Sequence, residues 1–259
     1  MTRRIGAEIF DVDLNEPTDS DIESINGALA EHQVVFFRDQ PLSHAALIEL
    51  GRRFGPLAPH SGVPGMAEFP EIVEIHADEH SPPRAGEDWH SDVSCDPSPP
   101  MGSILYLHTV PEGGGDTLFT SMYAAYDALS DRMKTYLEGL RATHDGNPVY
   151  KAIFPDVDKT YPCTDHPVVR THPVTGRKAL FVNPPYTTHI DGLPAAESAA
   201  VLQFLYRHCT NPNFQVRFRW EPHSVAFWDN RCTMHMAVFD YPPETRSGYR
   251  VTIAGEVPV

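Results

Sequence analysis

From Phe214 onward the chain reads as one strand after another, and this constrains the fold more than anything else in the sequence. Phe214-Gln215-Val216-Arg217-Phe218-Arg219-Trp220 alternates apolar and polar residues, which places its apolar side chains on one face of a sheet. Ser224 to Trp228, Met234 to Val238 and Tyr249 to Ala254 follow as further strands. Earlier strand signals lie at Gln33 to Arg38, Glu71 to Ile75, Ser103 to Thr109, Thr117 to Thr120 and Lys178 to Val182. Helical spacing covers Thr18 to His32, with Thr18, Asp19 or Ser20 as N-cap, and Pro194 to His208. Ser43 is placed to cap a helix carrying Ala46, Leu47, Leu50 and Phe54, and Ser130 one carrying Met133, Tyr136, Leu137 and Leu140. Strands with helices grouped early and in one insertion predict a mixed β fold, a β-sandwich or jelly roll flanked by helices. The 25 prolines are scattered, with pairs at Pro82-Pro83, Pro99-Pro100, Pro184-Pro185 and Pro242-Pro243, as suits a β-rich chain with long ordered loops. A length of 259 residues with 41% apolar composition fits one large soluble domain, 1–259, or two small ones.

The formal net charge of −15 argues against wrapping nucleic acid or lying on an anionic membrane. It leaves room for a small anionic substrate, which needs only a local cluster of arginines. No apolar run approaches the ~18 residues of a membrane span. Met1-Thr2-Arg3-Arg4-Ile5-Gly6 lacks the apolar stretch of a secretory signal, so a cytoplasmic protein is expected. Cys95, Cys163, Cys209 and Cys232 are widely spaced and read as reduced, buried thiols.

The chemistry lies in histidines and acids. Oxygen-activating iron(II) is commonly held by two histidines and one carboxylate, leaving other positions open. On a strand, His-x-Asp points both side chains the same way. The chain holds three such triplets: His76-Ala77-Asp78, His90-Ser91-Asp92 and His189-Ile190-Asp191. His189 and Asp191 lie beside Gly192 and Pro194, where a helix must begin, so Asp191 reads as a turn or cap residue. His76 and Asp78 lead into a polar, proline-containing run that looks like an exposed loop. His90 and Asp92 follow Trp89 and precede a strand-rich chain. The distant histidine is best placed at His235, where the chain re-enters a strand after the polar turn Asp229-Asn230-Arg231. Arg246 and Arg250 come next; a dicarboxylate that chelates iron with one end needs such a cation for the other.

The segments Asp88-Trp89-His90-Ser91-Asp92, Gly114-Gly115-Asp116-Thr117, His172-Pro173-Val174-Thr175-Gly176-Arg177-Lys178, Phe214-Gln215-Val216-Arg217, Trp228-Asp229-Asn230-Arg231 and the His235 to Arg250 spacing resemble the taurine dioxygenase/2,4-dichlorophenoxyacetate dioxygenase family. The likeness begins at Ile5-Gly6-Ala7-Glu8-Ile9 and runs nearly the whole length. It implies a double-stranded β-helix (jelly-roll) core of the clavaminate synthase type. It also implies iron(II) on His90, Asp92 and His235, and 2-oxoglutarate and oxygen as cosubstrates, with the far carboxylate of 2-oxoglutarate on Thr117 and Arg246. By the same resemblance Arg250 and His60 meet the substrate anion, and Tyr186 stands at a pocket aromatic. Val63 and Gly86 fall where the taurine enzymes carry a substrate tyrosine and asparagine. Losing those hydrogen bonds points to a bulkier or more apolar anion than taurine: an alkyl sulfonate, an alkyl sulfate or an aryloxy or other carboxylate. Asp92 argues against a halogenase, which vacates that position. Rival readings are a biosynthetic oxygenase acting on an amino-acid derivative and a non-catalytic jelly-roll metal-binding or sensor protein. A zinc hydrolase is disfavoured because no His-Glu-x-x-His is present. Symmetric homo-oligomers are common among soluble enzymes of this kind.

Overall fold

Two facing sheets account for the alternating C-terminal strands. The computed structural model describes residues 1–81 and 86–259; the Pro82-Pro83 pair lies outside them. In chain order the strands are β1 (Ala7–Glu8), β2 (Val34–Phe37), β3 (Ile72–Ala77), β4 (Gly102–Thr109), β5 (Thr117–Ser121), β6 (Arg141–Asp145), β7 (Cys163–Pro167), β8 (Val169–Thr171), β9 (Lys178–Leu180), β10 (Thr187–Ile190), β11 (Gln215–Phe218), β12 (Ser224–Asp229), β13 (Thr233–Ala237) and β14 (Arg246–Ile253). The helices are α1 (Asp19–His32), α2 (His44–Arg52), α3 (Met122–Asp127), α4 (Asp131–Leu137), α5 (Asn147–Ile153) and α6 (Ala195–Cys209).

The major sheet has the order β1-β2-β12-β4-β14-β3 and the minor sheet β11-β5-β13. Between them lies a core built from alternate residues of each strand: Val34 and Phe36 of β2, Leu105 and Leu107 of β4, Ala226 and Trp228 of β12, against Phe119 of β5 and Val216 and Phe218 of β11. Phe36 and Phe218 stack with centroids 4.0 Å apart. The intervening residues Val35, Phe37, Ile104, Tyr106, Val225 and Phe227 face the other way, onto α1 and α2. Both faces of these central strands are therefore buried, which is why Val34–Phe37 and Val225–Trp228 read as unbroken apolar runs. On β11 one face stays in solvent, so its residues alternate.

Thr18 caps α1 with a reciprocal capping box to Asp21, and Ser43 and Ser130 cap α2 and α4. Phe54 lies beyond the end of α2, and β3 runs two residues further than the sequence suggests, taking in His76 and Ala77. The chain between β5 and β11 forms a separate apolar cluster around α3, α4 and α6, with the small sheets β10-β6-β7 and β8-β9. Among the described residues no helix is long and apolar enough to cross a membrane. Three of the free cysteines are buried as expected; Cys163 is exposed.

Candidate active site

His235 sits on β13, whose ladder partner is β5, and its backbone also forms an antiparallel bridge to His90. His90 N–H donates to the His235 carbonyl at 3.0 Å and His235 N–H to the His90 carbonyl at 2.8 Å. This pairing sets the imidazoles side by side, with centroids 4.1 Å apart. Asp92, two residues on, brings Oδ1 to 3.8 Å from His90 Nε2 and 3.9 Å from His235 Nε2. The next residue, Val93, is buried at φ +47°, a conformation a β-branched residue adopts only where the surroundings impose it. It turns the chain away immediately after the carboxylate.

The three side chains fit a divalent metal. His90 Nδ1 lies 2.7 Å from the Asp88 carbonyl, so it carries the proton and leaves Nε2 a free lone pair. His235 is buried with Nδ1 unpartnered among the described residues, and burial holds both histidines below their ordinary pKa, hence neutral. Burial alone would raise Asp92, but Arg250, His235, His90 and the Ser103 hydroxyl outweigh it and hold the carboxyl well below its usual range. One carboxylate and two neutral imidazoles, with ligand atoms within 4.8 Å of one another, are the donor set such an ion requires.

Two arginines on β14 face this centre. Arg246 is buried, donating from Nε to the Gly115 carbonyl at 3.1 Å and from Nη2 to Thr117 Oγ1 at 3.3 Å. Trp220 lies under its guanidinium at 5.4 Å. Burial lowers its pKa to about 10, and among the described residues no carboxylate pairs with it. Thr117 Oγ1 also accepts from Trp220 Nε1 at 2.9 Å. With two N–H donors on its oxygen, the threonine hydroxyl must spend its own hydrogen on a third partner. Arg250 Nη1 donates to Asp92 Oδ1 at 3.0 Å, while its Nε is buried without a partner among the described residues. Gly248 between them passes so close to β4 that a Cβ would meet the Tyr106 carbonyl at 2.0 Å.

His60 accepts the Gly62 and Val63 N–H groups on Nδ1, at 3.1 and 3.0 Å, which leaves Nε2–H to donate outward. Burial, then the charge of Arg250, holds its pKa down at about 3. Tyr186 is buried, its hydroxyl 2.9 Å from that of Tyr150 on α5. These two join Val93, Cys95, Tyr161 and Val63 in one apolar cluster beside Asp92. Gly86 lies next to His90, where a Cβ would be 3.7 Å from the ring.

The other two His-x-Asp triplets stand apart. His76 Nε2 pairs with Asp78 at 3.3 Å and its Nδ1 with Ser247. His189 is on β10, and Asp191 stands in the turn that follows, as expected, accepting from Thr143 Oγ1; the cap position of α6 is Pro194. His172, Asp229 and Cys232 form another close buried group. There, His172 Nδ1 accepts two backbone N–H groups, its Nε2 donates to Asp229, and Arg231 grips Asp229 from Nε and Nη2, so neither His172 nor Asp229 keeps a lone pair for a metal. Sequence reasoning missed Tyr150, Trp220, Ser103 and Asn230. For Ser103 the signal was present: it is a polar residue on the inward face it shares with Leu105 and Leu107.

Residues 1–252 match the family described as Taurine catabolism dioxygenase TauD, TfdA family. An alpha-ketoglutarate-dependent sulfate ester dioxygenase of Pseudomonas putida is 35% identical, over 99% of this chain and 88% of that protein. The crystal structure of a taurine dioxygenase from Burkholderia xenovorans is 38% identical with a TM-score of 0.87, covering 99% of this chain and 89% of that one. AAD-2, solved with Mn(II) and N-oxalylglycine, is 26% identical with a TM-score of 0.86, covering 100% and 97%. The jelly-roll core, the two-histidine, one-carboxylate cluster and these likenesses agree: the chain belongs to the taurine catabolism dioxygenase TauD, TfdA family and is a 2-oxoglutarate-dependent non-haem iron dioxygenase.

Proposed function

We propose that the chain hydroxylates a small organic sulfonate, alkyl sulfate or carboxylate at the carbon next to its heteroatom. In this reading His90, Asp92 and His235 hold iron(II), Thr117 and Arg246 hold the far carboxylate of 2-oxoglutarate, and Arg250 and His60 hold the substrate anion. The observation that carries it is the pair of arginines on β14, one against Thr117 and the other against Asp92. A plain metal-binding protein has no use for two further anion sites. Residues 1–259 act as one domain, because the major sheet interleaves β2, β12, β4 and β14 from both ends of the chain.

When bound, iron(II) activates oxygen at the expense of 2-oxoglutarate, which leaves as succinate and carbon dioxide, and the substrate carbon receives a hydroxyl. The protein does the rest. Arg246 is ready for a carboxylate because its guanidinium stays charged with no carboxylate ion-paired to it among the described residues, and the Thr117 hydroxyl has one hydrogen to give. Arg250 offers an unused Nε and His60 a neutral N–H, both donors to an anion. Tyr150, Tyr186, Val63 and Val93 present an apolar wall that excludes water and suits an alkyl or aryl body. No side chain at Gly86, and an apolar one at Val63, can hold the ammonium of a small zwitterion. The relative from Pseudomonas putida, a sulfate ester dioxygenase, is consistent with that preference.

The test is succinate release by anaerobically iron-loaded protein given 2-oxoglutarate and oxygen. The substrate panel comprises sulfonates, alkyl sulfates, aryloxyacids and N-substituted amino acids. Stimulation by one of the first three classes is expected, with none from His90→Ala or Asp92→Ala variants that still fold. Turnover by either variant, or stimulation by the amino acids alone, overturns the proposal.

A further inference from the structure

The two oxygens of Asp92 have different partners. Oδ1 faces both imidazoles and accepts from Arg250. Oδ2 points into the protein, where the Ser103 hydroxyl donates to it at 2.7 Å and Asn230 Nδ2 approaches at 3.4 Å. Ser103 accepts from the same Nδ2 at 3.2 Å, which commits its hydrogen to the carboxylate. The orientation of the Asn230 amide is fixed in turn: its Oδ1 accepts from Trp228 Nε1 at 3.0 Å and from Asp92 N–H at 3.2 Å. Its backbone is tied by N–H to the Met101 carbonyl, and its carbonyl accepts from Ser91 Oγ at 2.7 Å. All of these residues are buried, so each bond acts away from competing water.

We infer that Ser103 and Asn230 are positioning residues that reserve Asp92 Oδ2, so that the carboxylate offers only Oδ1 to the metal. The inference rests on Asp92 being a metal ligand. A carboxylate free to turn can chelate through both oxygens and fill a position that 2-oxoglutarate or oxygen needs. Ser103 sits on β4 and Asn230 in the turn between β12 and β13, so the network ties the ligand to the rigid major sheet. Buried polar partners of this kind typically change metal affinity by roughly 10–100-fold when removed.

The experiment titrates metal-free protein with Mn(II), then titrates the anaerobic iron(II) protein with 2-oxoglutarate while following its visible metal-to-ligand absorption. In Ser103→Ala, Mn(II) affinity is expected to fall roughly 10–100-fold. The absorption with 2-oxoglutarate should shift or weaken, and the Tm of the metal-free protein should change little. Ser103→Thr, which keeps the hydroxyl, should recover most of the affinity. Asn230→Asp keeps the acceptor for Trp228 but turns the donor toward Asp92 into an acceptor, and should also lose metal affinity. Wild-type affinity and absorption in Ser103→Ala overturn the inference. If that variant fails to fold, Ser103→Cys is read by the same two measurements and decides in the same way. Asp92→Ala separates the two levels: if it binds Mn(II) as wild type does, the ligand assignment itself fails. If it loses binding while the Ser103 variants keep theirs, only the positioning role fails.

Discussion

Arg246 carries a buried guanidinium with no carboxylate in ion-pair contact among the described residues, Asp116 acting on it only from a distance, so a ligand carboxylate would complete its pairing. Hydrogen bonds to charged groups contribute about 1.5–3 kcal/mol. Arg246→Ala should therefore raise KM for 2-oxoglutarate by roughly 10–150-fold, with a much smaller effect on substrate KM. Arg250→Ala should do the reverse. Steady-state kinetics with each ligand varied in turn check this, and equal effects of the two substitutions would show that the clamps are exchanged or shared. The grouping of His90, Asp92 and His235 was legible in the sequence from context and the family resemblance, not from the His-x-Asp spacing, which three triplets share; the resemblance alone pointed to Thr117 beside Arg246. The surroundings of Asp92 were not legible. Ser103 showed as a polar residue on an inward face but without its partner, and Asn230, held by Trp228, reaches Asp92 across 138 residues of chain, which no local pattern encodes.

Among the elements, α5 has the greatest bearing on selectivity. It carries Tyr150, whose ring fills the space above Gly62, where a Cβ would lie 2.0 Å from the aromatic carbons. Gly62→Ala must displace Tyr150 and break its contact with Tyr186. The expected result is an altered ranking of substrates by chain length, with 2-oxoglutarate KM unchanged; an unaltered ranking across a homologous alkyl sulfate series would remove α5 from the pocket. This helix, with β6, β7 and β10, escaped sequence analysis for a physical reason. The inward positions of β6 and β7 include His144 and His166, both buried, so the apolar alternation that marks a strand is interrupted. The long strands β4 and β12 hold apolar runs and were plain, whereas β14 begins at Arg246, three residues before the Tyr249 start read from the sequence, because its first buried residues are polar.

Over the whole molecule, the buried His144 and the half-buried His60 make stability depend on pH. Burial holds His60 and His144 at about 3 against an ordinary 6.5. Below about pH 6.5 the unfolded chain takes up protons that the folded one refuses, so stability falls as pH is lowered through that window toward 3. The slope approaches ~1.4 kcal/mol per pH unit for each group. Asp229, held at about 2 by Arg231 and His172 against the opposing effect of burial, adds a loss in the same direction at still lower pH. Urea unfolding at pH 5 and pH 7 should give a clearly lower midpoint at pH 5, and His144→Gln should narrow the gap. Equal midpoints would mean these rings are hydrated.

The bridge between His90 and His235 joins residues more than half the chain apart. During synthesis the first two proposed ligands leave the ribosome long before the third exists, so no nascent fragment can own the site. Iron can be captured only once β13 has closed against β5, among the most entropically demanding pairings in the chain. Once held, the ion fastens the early part of the sequence to the late part. Loading it therefore reports that folding is complete and should slow proteolysis throughout the jelly roll, not only at the metal.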